Sequence, residues 1–392
     1  MNHMNESLAP CGRSPAAPLA SFAAELGQQV VFGSKALSKL GAMARAMRAG
    51  RILLVTDRRI RQAGHLEVAQ ASLEDEGIKS VVFDEVPEGP TGDSVETAAG
   101  AVSTEFFDLI AGIGGGSVMD TAKAVNFLLT NGGRIEDYRG YGKARTPMFP
   151  SIGVPTTAGT GSEAQSYAVI ARTPDRLKIA CGDPGARFKA VILDPDLLET
   201  APRDVVATAS ADALSHAVET LVSSNSHPIS RMFSCWSWML LEQNCENAVD
   251  KGTPKALGQM MIGSYLAGMA VELSMLGAAH ACANPLTARY EIRHGAAVAL
   301  LLPQVVRFNG AQVRSTYRLL EGVDSNHPAE SLAARLGELR QTFDLPTSLA
   351  QLGVSRSSIT EMAEQAERQW TGGFNPVPLT AEAAAGIYES SL

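Results

Sequence analysis

Phe107-Asp108-Leu109-Ile110-Ala111-Gly112-Ile113-Gly114-Gly115-Gly116-Ser117-Val118-Met119-Asp120-Thr121-Ala122-Lys123 is the stretch on which the fold turns. Residues 107–113 form an apolar run of strand length, the glycines make a loop, and the residues that follow continue as a helix. A strand that enters a helix through glycines is a phosphate cradle. Bare Cα atoms let backbone N–H groups approach an anion, and the helix N-terminus adds roughly half a positive charge toward it. The dinucleotide fingerprint G-x-G-x-x-G is met in part: Gly112 and Gly114 fit, Ser117 stands at the third glycine, and no acidic residue follows about twenty positions on in a recognisable continuation. Taken alone, this loop is either a nucleotide site or a tight structural turn.

Outward from it, strands and helices alternate. Residues 30–33 read as a strand, Ser34 as the cap of a helix that runs to Gly50, residues 52–56 as a buried parallel strand, 66–77 as a helix and 80–83 as a strand. Asp93-Ser94-Val95-Glu96 reads as a capping-box variant. A short strand, 152–154, leads into Pro155-Thr156-Thr157-Ala158-Gly159-Thr160-Gly161-Ser162-Glu163, a loop rich in hydroxyl donors or simply a surface loop. This alternation predicts a doubly wound sheet with ligands at the carboxyl ends of its strands. Beyond Asp194-Pro195-Asp196 the pattern turns helical, over 203–223, 230–247, 254–276 and onward. The expected organisation is a disordered leader over 1–21, an α/β domain over 22–198 and an all-helical domain over 199–392.

Composition narrows the partner. With 33 basic and 41 acidic residues the net charge is −8, which disfavours a nucleic-acid surface and offers no basic tract for anionic lipid. Five cysteines without C-x-x-C spacing argue against a disulfide framework, and no uncharged apolar run approaches twenty residues. The expectation is a cytoplasmic protein that meets a small molecule, with neither nucleic acid nor membrane as partner.

The chemistry gathers in the helical half. Asp212 and His216, in Ala211-Asp212-Ala213-Leu214-Ser215-His216-Ala217-Val218-Glu219, lie one above the other on a helix face. They are either two metal ligands or a buried hydrogen bond that pins two helices. One face supplies only part of the donor set that zinc or iron(II) takes. His280 and His294 are fourteen residues apart, about 21 Å on an unbroken helix, so both can ligate only if the chain turns between them. Pro285 is placed to break it. His3, His65, His227 and His327 read as solvated.

Together these residues resemble the iron-containing (group III) alcohol dehydrogenases, over about 30–375. The likeness rests on Gly114–Ser117 with Asp120, the loop 155–163, Asp194-Pro195, Asp212 with His216, and His280 with His294-Gly295. It implies a Rossmann-like α/β domain that binds NAD(P), an all-α domain that binds Fe2+ or Zn2+, the dehydroquinate synthase-like architecture, and a homodimer. By the same likeness Gly114, Gly115, Gly116 and Ser117 hold the pyrophosphate, and Asp120 belongs to the cofactor site. Thr156, Thr157 and Thr160 line the nucleotide site, Lys178 sits near the ribose, and Asp212, His216, His280 and His294 hold the ion. The implied reaction is hydride transfer between NAD(H) and a small alcohol or aldehyde, with the metal as Lewis acid. Alternatives are a hydroxyacid–oxoacid transhydrogenase with bound nicotinamide and a catalytically silent nucleotide-binding protein.

Finer expectations attach to single residues. Asp57 ends the 52–56 strand where the family meets the adenosine ribose, which favours NAD over NADP, or else it caps a helix. Arg289 and Arg293 offer guanidinium groups for an anionic substrate tail, or else a solvated face. Asn284, with His280 assigned to catalysis, stands where many members carry a non-ligand histidine; it either faces the metal or caps the helix before Pro285. Val271 stands where an aromatic side chain often packs near the nicotinamide, which bears on the pocket shape.

Overall fold

Apolar runs such as residues 52–55 and Leu109–Gly114 have no polar face to turn to water, so the strands they form must be covered on both sides. The computed structural model describes residues 24–392 apart from Pro174, Glu321 and Ser325, and the leader expected over 1–21 lies outside the described residues. The first half runs β1 (Gln29–Phe32), α1 (Leu40–Ala46), β2 (Arg51–Val55), α2 (Arg58–Gln62), α3 (His65–Asp75), β3 (Lys79–Phe83), α4 (Gly92–Val102), β4 (Leu109–Gly114), α5 (Gly116–Asn131), β5 (Gly140–Tyr141), β6 (Ser151–Pro155), β7 (Tyr167–Ala171), β8 (Lys178–Gly182) and β9 (Ala190–Leu193). Six strands make one parallel sheet in the order β1-β9-β6-β4-β2-β3. The strands β5, β8 and β7 make a small second sheet in which β7 is antiparallel to β8.

Alternation along the strands sorts the core into two layers. Ile52, Leu54, Leu109, Ala111 and Ile113 pack with Leu40 of α1 and Leu66 and Leu73 of α3. Leu53, Val55 and Ile110 face Val95 of α4 and Met119 and Ala122 of α5, and this layer continues into the C-terminal helices. Strand order reverses between β2 and β4, so the connections at their carboxyl ends diverge and leave a crevice. Thr56 Oγ1 donates to the Ile113 carbonyl at 2.7 Å and ties the two strand ends beneath it.

Two expected caps move. Ser34 caps nothing: its hydroxyl donates to Asp196 at 2.6 Å, and the chain enters α1 through a 3-10 turn, Ala36–Lys39. Thr91, not Asp93, caps α4, in a reciprocal box with Ser94. Tertiary contact and turn geometry outweigh the short-range signal at both places.

The second half is helical, as the pattern predicts: α6 (Arg203–Val222), α7 (Pro228–Lys251), α8 (Pro254–Ser274), α9 (Ala278–Tyr290), α10 (His294–Tyr317), α11 (Pro328–Thr342), α12 (Ile359–Glu367) and α13 (Ala381–Glu389). Pro285 does not break α9; the helix runs through it. A proline inside a helix costs about 3 kcal/mol through one lost hydrogen bond and a clash with the preceding turn, and burial of α9 against α10 and α12 offsets that. The turn comes instead at Glu291, in the left-handed region at φ 54°, and α10 begins at His294. Two histidines taken as solvated are also structural. His65 is buried with Nε2 2.9 Å from Thr200 Oγ1, and His227 caps α7. Cys181, Cys245 and Cys282 are buried thiols, and no single helix among the described residues is long and apolar enough to cross a membrane.

Candidate metal and dinucleotide site

Asp212 and His216 stand four apart on α6, His280 lies in the first turn of α9, and His294 is the first residue of α10. Their tips converge. Asp212 Oδ1 lies 3.6 Å from His216 Nε2, 3.6 Å from His280 Nε2 and 3.9 Å from His294 Nε2, and His216 Nε2 lies 3.1 Å from His280 Nε2. Asp212, His280 and His294 each bring a ligand atom within 4.8 Å of the others, and His216 flanks them. Four donors at about 2.1 Å from one ion would sit about 3.4 Å apart at the edges of a tetrahedron, close to this spread. Asp212 Oδ1 is also buried with no hydrogen-bond partner, an orphaned acceptor facing three imidazoles. A carboxylate and imidazole nitrogens are the donor set that iron(II) or zinc accepts, so these residues fit such an ion.

Electrostatics agree. Burial pushes the Asp212 carboxyl up, but His216 and the other two imidazoles outweigh it and hold the group ionised, well below the usual carboxylate range. Burial lowers His216 to about 4 and drives His294 well down, the latter with help from Lys178. Burial also opposes charge on His280, but Glu219 and Asp212 overcome it and raise that imidazole to about 9. Of the three imidazoles, His280 is thus the one whose charge the surroundings favour, because two buried carboxylates flank it.

The site opens toward the sheet. Gly116 and Ser117 begin α5, and their cleft of about 560 Å³ also takes in Asp120, Thr157, Thr160, Lys178, Asp212 and His294. A second cavity of about 700 Å³ shares Gly116, Ser117 and Thr157 with it and extends past Thr156 and Gly115 to Asp57. The two form a groove from Asp57 to the ligand cluster, wide enough for an elongated ligand. Behind it a pocket of about 100 Å³ is walled by Lys178, His280, Asn284, Leu276 and Trp370. A Cβ at Gly116 would come 2.6 Å from Thr160 Cγ2, so the glycine is required by the close approach of the threonine loop. Thr156 N–H donates to the Gly114 carbonyl at 3.0 Å and joins that loop to the end of β4.

The finer expectations fare unevenly. Asp57 does cap α2, Oδ1 accepting from Arg59 N–H at 2.8 Å and Ile60 N–H at 3.0 Å, and it also stands on the groove. Asn284 is not a cap, since α9 continues to Tyr290; its Nδ2 donates to Gln369 Oε1 at 3.0 Å. Arg289 is drawn away to Glu361, and Arg293, at the cleft rim, pairs with Asp204 at 2.5 Å. Both pairs are solvent-exposed and therefore weak, and of the two arginines Arg293 alone lines the cleft. Val271 is buried in α8, and Leu276 takes the place on the pocket wall.

Two residues that sequence reasoning quoted without a role matter here. Lys123 is buried beneath the threonine loop, where Nζ donates to the Ser162 carbonyl at 2.7 Å, to Ser162 Oγ at 2.8 Å and to the Tyr167 carbonyl at 2.8 Å. Ser162 Oγ in turn donates to Asp120 Oδ1 at 2.6 Å, so the lysine braces both walls of the cleft. Burial brings the Lys123 ammonium down to about 8 despite Asp120 and Glu272 nearby. A lysine on the same helix face as Met119 and Ala122 was the available signal. The second residue is Glu219, seven beyond Asp212 and so two turns along the same face of α6.

Comparison with known proteins adds the family. Residues 27–195 match the sequence model of the iron-containing alcohol dehydrogenases, and residues 206–392 match that of the family's C-terminal part. Alcohol dehydrogenase 4 of Schizosaccharomyces pombe is 32% identical over 368 residues, covering 92% of this chain and 87% of that protein. The NAD-dependent methanol dehydrogenase of Bacillus methanolicus is 28% identical, covering 92% and 97%. The crystal structure of a 1,3-propanediol oxidoreductase superposes with a TM-score of 0.90 at 29% identity, covering 95% of this chain and all of that one.

Proposed function

This chain belongs to the iron-containing alcohol dehydrogenase family, and from that premise we propose that it interconverts a small alcohol and its aldehyde by hydride exchange with NAD(H), using one Fe2+ or Zn2+ held by Asp212, His216, His280 and His294. The observation that carries this reading is the orphaned, buried Asp212 Oδ1 facing three imidazole nitrogens at the end of a groove that begins on a helix N-terminus. When bound, the ion supplies a Lewis acid that makes a hydroxyl more acidic, and the nicotinamide supplies the hydride acceptor. The protein does the rest. Gly116 and Ser117 present backbone N–H groups to the pyrophosphate, with the α5 dipole behind them. Lys178, on both the cleft and the inner pocket, orients the ribose between the two halves of the site. Leu276 and Trp370 keep the inner pocket partly apolar, and its volume of about 100 Å³ restricts it to short substrates. Turnover of a panel of C1–C4 alcohols and aldehydes with NAD(H), with and without the ion, tests the reading; tight NADH binding with no turnover on any of them would overturn it.

Asp57 bears on cofactor choice. Both of its capping bonds fall on Oδ1, which leaves Oδ2 to accept from a ribose 2′-hydroxyl and to repel a 2′-phosphate. Its arginine neighbours do not offset this, because Arg58 pairs with Glu85 at 2.5 Å and Arg59 with Glu88 at 3.7 Å. A charge-assisted hydrogen bond is worth about 1.5–3 kcal/mol, so Asp57→Gly should shift the NAD to NADP ratio of kcat/KM by about tenfold or more toward NADP. An unchanged ratio would place the ribose elsewhere.

Asn284 cannot relay a proton, because an amide does not titrate near neutral pH. The proton leaves instead through water and ribose hydroxyls, with the Asn284 amide, fixed by Gln369, orienting that chain. Loss of one neutral hydrogen bond, about 0.5–1.5 kcal/mol, predicts up to about a tenfold fall in kcat/KM for Asn284→Ala. Asn284→His should add an ionisation to the pH–rate profile. An alanine variant equal to wild type in rate and substrate preference removes Asn284 from the site.

A further inference from the structure

Behind His280, on the Nδ1 side of its ring, stands a buried carboxylate. Glu219 is 3% exposed; its Oε2 lies 2.5 Å from His280 Nδ1, and its Oε1 accepts from Ala279 N–H at 2.7 Å. Ala279 belongs to the first turn of α9, where backbone donors have no partner within the helix. The carboxylate therefore caps that helix and holds the imidazole with the same group. Room for it depends on a bare glycine: a Cβ at Gly277 would lie 3.0 Å from Glu219 Oε1 and 2.9 Å from Asn375 Oδ1.

We propose that Glu219 is a positioning residue for the metal, fixing His280 in the Nδ1–H tautomer with its Nε2 lone pair turned toward Asp212 and His216, and so setting how tightly the ion is held. The proposal rests on the metal reading of the site. A neutral imidazole carries one N–H and one lone pair, and the hydrogen bond made by one nitrogen decides which atom is left to ligate. With the proton on Nε2 instead, an N–H would point into the cluster and His280 would cease to be a donor. A carboxylate partner also makes the ligating nitrogen more basic. Of the three imidazoles, His280 is the one whose Nδ1 meets a carboxylate among the described residues; His216 has the Gly159 backbone as a partner instead.

Glu219→Gln keeps the length of the side chain but offers one acceptor where two donors, Ala279 N–H and His280 Nδ1–H, each need one. Asn375→Ala is the matched control. It removes the acceptor of the neighbouring Ala278 N–H, 3.2 Å away, together with the reciprocal bonds to Asn309 and the bond to the Val377 carbonyl, so it loosens the start of α9 at least as much while touching none of the four ligands. Wild type and both variants, loaded with Co2+ or Zn2+, would be titrated against a chromophoric chelator and their metal dissociation rates followed. Removing the outer partner of a metal-bound histidine typically costs 10–100-fold in affinity, so Glu219→Gln should lose about that much while Asn375→Ala stays within about twofold of wild type. Equal losses in the two variants, or unchanged affinity in Glu219→Gln, would overturn the proposal. If Glu219→Gln does not fold, 15N-histidine spectra of the metal-loaded wild type decide: His280 should be protonated at Nδ1, and protonation at Nε2 refutes the assignment. A wild-type chain that takes up no divalent ion overturns the metal reading itself, and this proposal with it.

Discussion

Replacing His280 by Ala is expected to leave the chain without a bound ion and to lower kcat/KM by about 10³-fold or more, because Lewis-acid assistance is worth several kcal/mol and each 1.36 kcal/mol is a factor of ten. The imidazole is central in two ways. Its Nε2 lies 3.1 Å from His216 Nε2 and 3.6 Å from Asp212 Oδ1, so its loss removes a donor and loosens the rest. It also stands between two buried carboxylates, Asp212 and Glu219, at 5% and 3% exposure. Leaving a buried charge without its partner costs about 3–5 kcal/mol, so the variant should also melt earlier than metal-free wild type, which keeps the imidazole. Metal analysis, thermal melts and steady-state NADH formation on the same preparations separate the two losses. Full activity in a demonstrably metal-free protein would sink the metal reading.

Gly295→Ala is expected to damage the same site without touching a ligand. A Cβ at Gly295 would lie 2.0 Å from the Thr208 carbonyl oxygen and 2.8 Å from its carbonyl carbon. These are backbone atoms of α6, and no rotamer change relieves them, so α10 must move away from α6. His294, the preceding residue, would be carried off Asp212 Oδ1, from which it now stands 3.9 Å. Overpacking of this kind costs about 1–3 kcal/mol, at times more, and the expected readouts are a lowered melting temperature and about a tenfold or greater loss of metal affinity. Gly337→Ala, in α11, is the control: nothing lies within 4 Å of a Cβ there, and exchanging a mid-helix glycine for alanine is favourable by roughly 0.5–1 kcal/mol. If Gly295→Ala binds metal and melts like wild type, the two helices do not approach as closely as their backbones indicate.

Local chemistry in the chain determined a good deal. Runs such as residues 52–55 and Leu109–Gly114 are apolar on both faces, which only a covered parallel strand satisfies, and the glycines after β4 mark where a helix N-terminus meets an anion. Asp212 and His216 were legible as neighbours because 3.6 residues per turn places i and i+4 together wherever the helix lies. The same rule puts Glu219 on that face, so its neglect was a matter of reading and not of missing information. Which segments meet across the fold was not encoded in any local period. Whether His280 reaches His216, 64 positions away, depends on the 104° bend between α8 and α9, and whether His294 joins them depends on a turn at Glu291, not at the proline that local rules favoured. Arg289 and Arg293 share a helical spacing in the sequence, but the turn at Glu291 separates them, so that Arg293 lines the cleft beside Asp204 while Arg289 pairs with Glu361 outside its lining. Lys123 is buried because three oxygen acceptors 39 to 44 residues later, two on Ser162 and one at the start of β7, surround its ammonium. Backbone geometry fixes what one element presents, and a sequence displays it directly. Helix packing fixes which presented groups share a site, and that is decided only when the whole core closes.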